Sequence, residues 1–262
     1  MAPRAIWIGR IRFGGIALPV KLFSALEDRK VHFRLLHQKD YTPVRQQMVD
    51  PRSGEPVPPE KIHRGYEIEP GDIVMLEDDE LQGLEPKDSR DIFIDPFVDE
   101  NLIHHQWYDR PYYLGPENEP GKYFALADAL ENEKKEGIAR WIMRKKRYIG
   151  ALRAQDGYLK LITLRHAGEV IETAELPRPQ GRPLEKAELR MAEQLVRALE
   201  GDFNPRDFRD EYRKRVLELV EKKARGESIP VHKIPERKRE VIPFADLLKE
   251  SVRRAKKERK IA

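Results

Sequence analysis

Basic residues recur in this chain where an apolar strand would ordinarily exclude them. Arg10 and Arg12 interrupt the stretch Ala5-Ile6-Trp7-Ile8-Gly9-Arg10-Ile11-Arg12-Phe13. Its two-residue period reads as a strand, with Trp7, Gly9, Ile11 and Phe13 on one face and Ile6, Ile8, Arg10 and Arg12 on the other. Arg140 sits in a second alternating run, Ile138 to Met143, and Arg144-Lys145-Lys146-Arg147 follows it directly. Arg45 and Arg52 lie in a polar stretch rich in turn residues. An unpartnered guanidinium is costly to bury, so these faces are wet. They either bind an anion or form a solvated edge; the anion such a pattern suits is phosphate.

Residues for bond-making chemistry are harder to find. There is no glycine loop followed by a lysine for nucleotide phosphates, no dinucleotide fingerprint, no His-Glu-x-x-His and no Gly-x-Ser-x-Gly. His104 and His105 are adjacent, so on a strand they would face opposite ways. Asp78-Asp79-Glu80 suits the acidic first turn of a helix better than a metal site. With no cysteine in the chain, disulfides and thiolate metal sites are excluded. The chain reads as a binding protein rather than an enzyme, with no cofactor and no metal expected.

The formal net charge of +4 conceals a segregation. Residues 1–64 carry 12 Lys/Arg against 6 Asp/Glu, residues 65–136 carry 6 against 20, and residues 137–166 carry 8 against 1. Two basic, strand-rich segments thus flank an acidic one. If they meet in space they form one positive surface; otherwise opposite segments simply pair. No apolar run is long enough to span a membrane, and the N-terminus lacks the apolar stretch of a secretory signal. A cytoplasmic location is expected.

The elements that must position the basic residues follow from periodicity and turn chemistry. After Gly14-Gly15, Ile16, Leu18, Val20 and Leu22 begin a second strand. Val44 to Val49 reads as a polar strand, Asp50 to Glu55 as a turn, and Ile62 to Ile68 and Ile73 to Leu76 as strands parted by Pro70-Gly71. A short helix follows Glu77. Ile92, Ile94 and Phe97 suggest a strand ended by Pro96. Trp107-Tyr108 and Tyr112-Tyr113-Leu114 suggest two short strands flanking Arg110-Pro111. Lys122 to Glu136 is an amphipathic helix with Tyr123, Ala127 and Leu130 on its buried face and Gly137 as its stop. Ile149 to Leu152 and Tyr158 to Leu164 are joined through Asp156-Gly157, a hairpin signal. Many strands in quick succession predict a β-barrel or sandwich over residues 1–176.

Past the Pro-rich stretch 177–183 the pattern turns helical. One helix carries the stripe Leu184, Ala187, Met191, Leu195 and Leu199. The next opens at Asn204-Pro205, carries Phe208, Tyr212, Val216 and Leu219, and closes at Gly226. Residues 177–226 thus form a helical arm whose stripes need the barrel or another subunit. Residues 227–262 hold a polar linker, a short helix from Pro243 to Val252 with Phe244, Leu247, Leu248 and Val252, and a basic tail.

Taken in order, these fragments resemble prokaryotic Ku, the DNA-end-binding protein of non-homologous end joining. The likeness rests on Ala5-Ile6-Trp7, Phe13-Gly14, Pro19-Val20-Lys21-Leu22 and Phe33-Leu35-Leu36-His37. It continues through Gly65-Tyr66-Glu67, Tyr112-Tyr113-Leu114, Ile138-Ala139-Arg140, Met143-Arg144 and Glu175-Leu176-Pro177, and ends at Phe244-Ala245-Asp246-Leu247-Leu248. Relatives often carry paired cysteines around the turn where this chain has Met48-Val49-Asp50-Pro51-Arg52-Ser53-Gly54, so here Pro and Gly geometry must hold the turn and no zinc is implied.

The resemblance implies a mixed β+α fold: a β-barrel core, bridging hairpin strands at about 43–65, a helical arm and a short tethered terminal helix. It implies a ring-shaped homodimer that threads onto ends of double-stranded DNA without reading sequence. Within the implied DNA-contacting regions, charge selects Arg10, Arg12, Arg45, Arg52, Arg140, Arg144, Lys145, Lys146 and Arg147. By the same analogy Phe244, Leu247, Leu248 and Val252 recruit an ATP-dependent DNA ligase. The alternatives are a basic RNA- or single-strand-binding adaptor that uses stacking aromatics, and a scaffold whose helices serve protein partners.

Overall fold

A computed structural model describes residues 3–178 and 185–227, and near the C-terminus residues 248, 250, 251 and 253. In chain order its strands and α-helices are β1 (Trp7–Phe13), β2 (Ile16–Ser24), β3 (Arg64–Glu69), β4 (Asp72–Leu76), α1 (Asp78–Gly83), β5 (Asp91–Asp99), β6 (Tyr108–Pro116), α2 (Pro120–Glu133), β7 (Lys135–Met143), β8 (Lys146–Gln155), β9 (Tyr158–Leu164), α3 (Lys186–Ala198) and α4 (Glu211–Ala224). The chain divides into two units, Met1–Arg29 with Phe33–Glu175, and Lys30–His32 with Leu176–Ala262.

Seven strands of the first unit close into a barrel in the order β1-β2-β6-β9-β8-β7-β5. Every pairing is antiparallel except the one that seals it, where β5 lies parallel to β1. Alternation along β1 is as its sequence predicts: Gly9 and Ile11 are buried while Ile8, Arg10 and Arg12 face outward. Gly14 and Gly15 both take left-handed backbone (φ 47° and 83°) in the two-residue turn to β2, where a side chain would be strained. Asp156-Gly157 joins β8 to β9 in the same way. The core holds Ile11, Leu18, Val20, Leu22, Ile92, Leu114, Leu152, Leu159 and Leu161, all essentially inaccessible. Helix α2 adds Tyr123, Ala127 and Leu130, the three residues its pattern assigns to the buried face. The Tyr123 hydroxyl donates to the Leu114 carbonyl (2.6 Å) and accepts from the Leu159 amide (2.8 Å), tying α2 to β6 and β9.

Several sequence expectations are corrected. Pro96 does not end its strand; β5 runs to Asp99, and its register with β7 shifts between Ile94 and Phe97, so the missing proline N–H falls where the ladder is already interrupted. The two aromatic strands around Arg110-Pro111 are one strand, β6, again with a register shift between Tyr108 and Pro111. Gly137 is not a helix stop. Lys134 takes that role in left-handed backbone, and Gly137 lies within β7, where a Cβ would sit 2.4 Å from Ile94 Cγ2 and 3.0 Å from Phe97 Cε1. The glycine is there for close packing between β7 and β5.

Between β2 and β5 the chain leaves the barrel. Val44 to Val49 is not a strand; its ladder is reduced to isolated bridges, Leu36 with Pro43 and Val49 with Pro56. Prolines at 43, 51, 56, 58 and 59 remove the donors a continuous ladder needs. The turn at Asp50–Glu55 does form: Asp50 accepts from the Gly54 and Arg52 amides (both 2.8 Å), and the Asp50 amide donates to Glu55 (2.9 Å). β3 and β4 make a separate antiparallel hairpin, and α1 begins with a reciprocal capping box between Glu77 and Glu80.

In the second unit, α3 buries Glu188 and half-buries Met191, Leu195 and Ala198, while Ala187 and Leu199 are exposed. Met191 and Leu195 keep to the expected stripe, Leu184 lies outside the described residues, and Glu188 accepts from the Glu185 amide (2.9 Å), closing a capping box. Asn204-Pro205 opens only a single 3-10 turn; α4 starts later, capped by Asp210, whose carboxylate accepts from the Arg213 amide at 2.8 Å. Gly226 does close it, with the Gly226 amide on Lys223 and the Glu227 amide on Lys222. Phe208 and Tyr212 are 73% and 69% exposed, and Leu217, Leu219 and Val220 are exposed as well.

Candidate nucleic-acid interface

Strand pairing brings the two basic segments together on one outward face of the barrel. In register across three adjacent strands lie Arg12 on β1, Phe93 on β5 and Arg140 on β7, and Ile149 on β8 continues the row. Beside that row Arg10 pairs with Asp91. Arg147, opposite Ile142, lies in the same groove as Arg140, Phe93 and His166.

Asp91 organises the β1 arginines. Arg10 donates to its Oδ1 through Nη2 (2.9 Å) and Nε (3.0 Å), and Arg12 Nε reaches Oδ2 at 3.1 Å. One carboxylate thus fixes two half-exposed guanidiniums and leaves a net positive charge. The arginine pair seen in the sequence therefore has a partner. That partner lies about eighty positions away and reaches them through the parallel closure of the barrel.

The turn from β7 to β8 carries Arg144 and Lys145, both with left-handed backbone (φ 51° and 61°). Such a two-residue turn ordinarily takes Asn or Gly, and a residue with a Cβ costs about 1–2 kcal/mol there. The chain thus keeps two cationic side chains at a tip where backbone preference argues for smaller residues. Lys145 is held by Glu85 (2.8 Å), and that bond, then the carboxylate's charge, raises the ammonium above its ordinary value. Among the described residues Arg140, Arg144, Lys146 and Arg147 form no ion pair, and neither do Arg45 and Arg52 on the exposed excursion.

The excursion holds its own shape through short-range bonds. Asp40 accepts from the Thr42 amide (3.2 Å) and hydroxyl (2.9 Å) and contacts His37 Nδ1 (2.9 Å); the two Thr42 bonds lower its carboxyl below the ordinary value. The turn bearing Arg52 is closed by Asp50, Gly54 and Glu55. No cluster of His, Cys, Asp or Glu among the described residues could hold a metal ion.

A buried polar cluster lies elsewhere in the barrel. Glu136, wholly inaccessible on β7, accepts from the Tyr108 hydroxyl through both oxygens (2.8 and 3.0 Å) and faces Arg153 at 3.5 Å, which also meets Glu100 at 3.3 Å. Burial raises the Glu136 carboxyl, against the lowering pull of Tyr108 and Arg153. Burial and the bond to Glu136 raise the Tyr108 phenol.

Phe244, Leu247 and Val252 lie outside the described residues. Leu248 is helical and only 6% exposed. No helix among the described residues is long and apolar enough to cross a membrane.

The sequence comparisons agree with this arrangement. A family model described as the Ku70/Ku80 beta-barrel domain matches residues 12–191. Two proteins of Geotalea uraniireducens are similar: Non-homologous end joining protein Ku 2, 38% identical over 87% of this chain and 89% of its own length, and Non-homologous end joining protein Ku 1, 36% identical over 99% and 100%. The Non-homologous end joining protein Ku of Anaeromyxobacter is 35% identical over 97% of this chain and 86% of its own. With the barrel closed, the basic face assembled on it and the matches spanning nearly the whole length, the chain belongs to the Ku family of non-homologous end joining proteins.

Proposed function

We propose that two copies of this chain form a two-fold ring that threads onto ends of double-stranded DNA without reading sequence, and that the ring then recruits an ATP-dependent DNA ligase. One observation carries the DNA-binding part. Unpaired cations on β7, the β7–β8 turn and β8 share an outward barrel face with the arginines of β1, and Arg45 and Arg52 stand unpaired on an excursion outside the barrel ladder. Arginine and lysine side chains on a curved sheet suit the sugar-phosphate backbone, whose contacts fix position and carry no sequence information. A closed aperture then makes an end the only way on. The exposed apolar residues of α4 supply a surface for the two-fold contact. The motif Phe244, Leu247, Leu248 and Val252 is the proposed ligase contact.

Competition among linear duplex, covalently closed circular duplex and single strands tests the reading. Linear duplex is expected to bind and the closed circle to compete weakly. Equal competition by the circle overturns threading; preferential competition by single strands favours a single-strand-binding adaptor.

A further inference from the structure

Phe93 is a large apolar side chain, 51% exposed, in the middle of a cationic sheet face. Its neighbours in register are Arg12 on one side and Arg140 on the other. Strand spacing sets these two arginines roughly 10 Å apart at the backbone, with the phenyl ring midway. The next position in the row, Ile149, is again apolar and half-buried. Cation, ring, cation, aliphatic is an unusual order for a solvated edge. It is the order a sugar-phosphate backbone presents in reverse: anionic phosphate, apolar sugar face, anionic phosphate. Of the two acids flanking Phe93 on β5, Asp91 is already occupied by Arg10 and Arg12, and Asp95 is a single exposed carboxylate against Arg140 and Arg147, so the face stays net cationic and suits a polyanion.

We infer that Phe93 is the residue with which this chain distinguishes DNA from RNA. The inference rests on the DNA-binding reading above. The ring seats against deoxyriboses while Arg12 and Arg140 hold flanking phosphates. A 2′-hydroxyl in the same place would lose water against a phenyl face that offers no hydrogen bond. An A-form RNA duplex also displays those hydroxyls across a wide, shallow minor groove. Discrimination therefore comes from the sugar, so no base edge is read and sequence tolerance is kept.

The test uses the full chain and end-labelled linear duplexes of one sequence, as DNA and as RNA, titrated at several salt concentrations. Wild type is expected to bind DNA about tenfold or more tightly over RNA, of the order one desolvated hydroxyl supplies. Phe93→Ala is expected to lose about five- to twentyfold on DNA and little on RNA, with an unchanged salt slope, because no charge is removed. Phe93→Leu keeps most of the DNA affinity, and Arg140→Ala weakens both duplexes and lowers the slope by about 0.9. Equal losses on DNA and RNA for Phe93→Ala, no loss on DNA, or a change in oligomeric state each overturn the assignment. Threading is scored separately, by linear against circular DNA, so either reading can fail without the other.

Discussion

Tyr108 and Glu136 lie 28 residues apart, on β6 and β7, yet the tyrosine hydroxyl donates to both oxygens of the glutamate, at 3.0 and 2.8 Å. The carboxylate has no access to solvent, so these bonds and the Arg153 guanidinium replace its lost hydration. The pair ties β6 to β7, which are not neighbours in the barrel.

Removing the hydroxyl should therefore cost stability in a pH-dependent way. Burial raises the folded-state value of Glu136 above the ordinary 4.5, so this group's contribution is most favourable in acid and declines as pH rises from that value through the folded one. Tyr108→Phe deletes a bond to the charged form and raises the folded value further. The loss should be about 1.5–3 kcal/mol at pH 8 and distinctly smaller near pH 4. Urea unfolding at both pH values measures it; a pH-independent loss would refute the account.

The cationic turn should contribute through charge and not fold. Alanine at Arg144, Lys146 or Arg147 should each lower the slope of log affinity against log salt by up to about 0.9, with melting temperature nearly unchanged. Lys145 is already partnered by Glu85, so Lys145→Ala should change the slope least. Replacing all four should flatten the slope and leave the barrel folded. Filter binding over a salt series with linear duplex gives the four slopes directly.

Much of this was legible in the sequence. The period of β1, the paired glycines after it, the buried face of α2 and the Asp156-Gly157 hairpin are local signals, and each holds. What was hidden depends on distant partners. Asp91 and Phe93 meet Arg10, Arg12 and Arg140 only through the register of β5 between β1 and β7, and no local pattern encodes that register. Gly137 reads as a helix stop from its neighbours in sequence; its reason lies across the sheet, in Ile94 and Phe97. Pro96 reads as a terminator unless the ladder is known to shift there. Asn204 carries good capping chemistry, and the cap it makes serves a 3-10 turn.

The exposed face of α4 should be a subunit contact. Tyr212→Lys with Leu219→Lys should convert the proposed dimer to a monomer in sedimentation equilibrium, and end-dependent DNA binding should fall with it. A wild-type chain that stays monomeric at micromolar concentration would remove the two-fold ring.

The terminal motif needs a test that separates docking from folding. Leu248 is buried, and deleting a buried leucine side chain typically costs 2–5 kcal/mol. Leu248→Asp should therefore lower the melting temperature as well as any ligase stimulation. Leu247→Asp, with Leu248 intact, is expected to abolish ligase stimulation while DNA binding and melting temperature hold. Truncation after Gly226 should spare end binding. If Leu247→Asp stimulates ligase like wild type, the motif does not recruit it.

The excursion from the barrel starts at the end of β2 and returns at the start of β5, and both strands flank β1. Its two feet thus stand on either side of a single strand, on a base sealed by its own hydrogen bonds. Closure entropy grows only logarithmically with loop length, about 0.6 kcal/mol for each doubling. Residues can therefore be gained or lost in the span without opening the barrel beneath it. An insertion or deletion placed between the feet should therefore change the reach of the span and leave the strands that carry Arg12 and Arg140 in register.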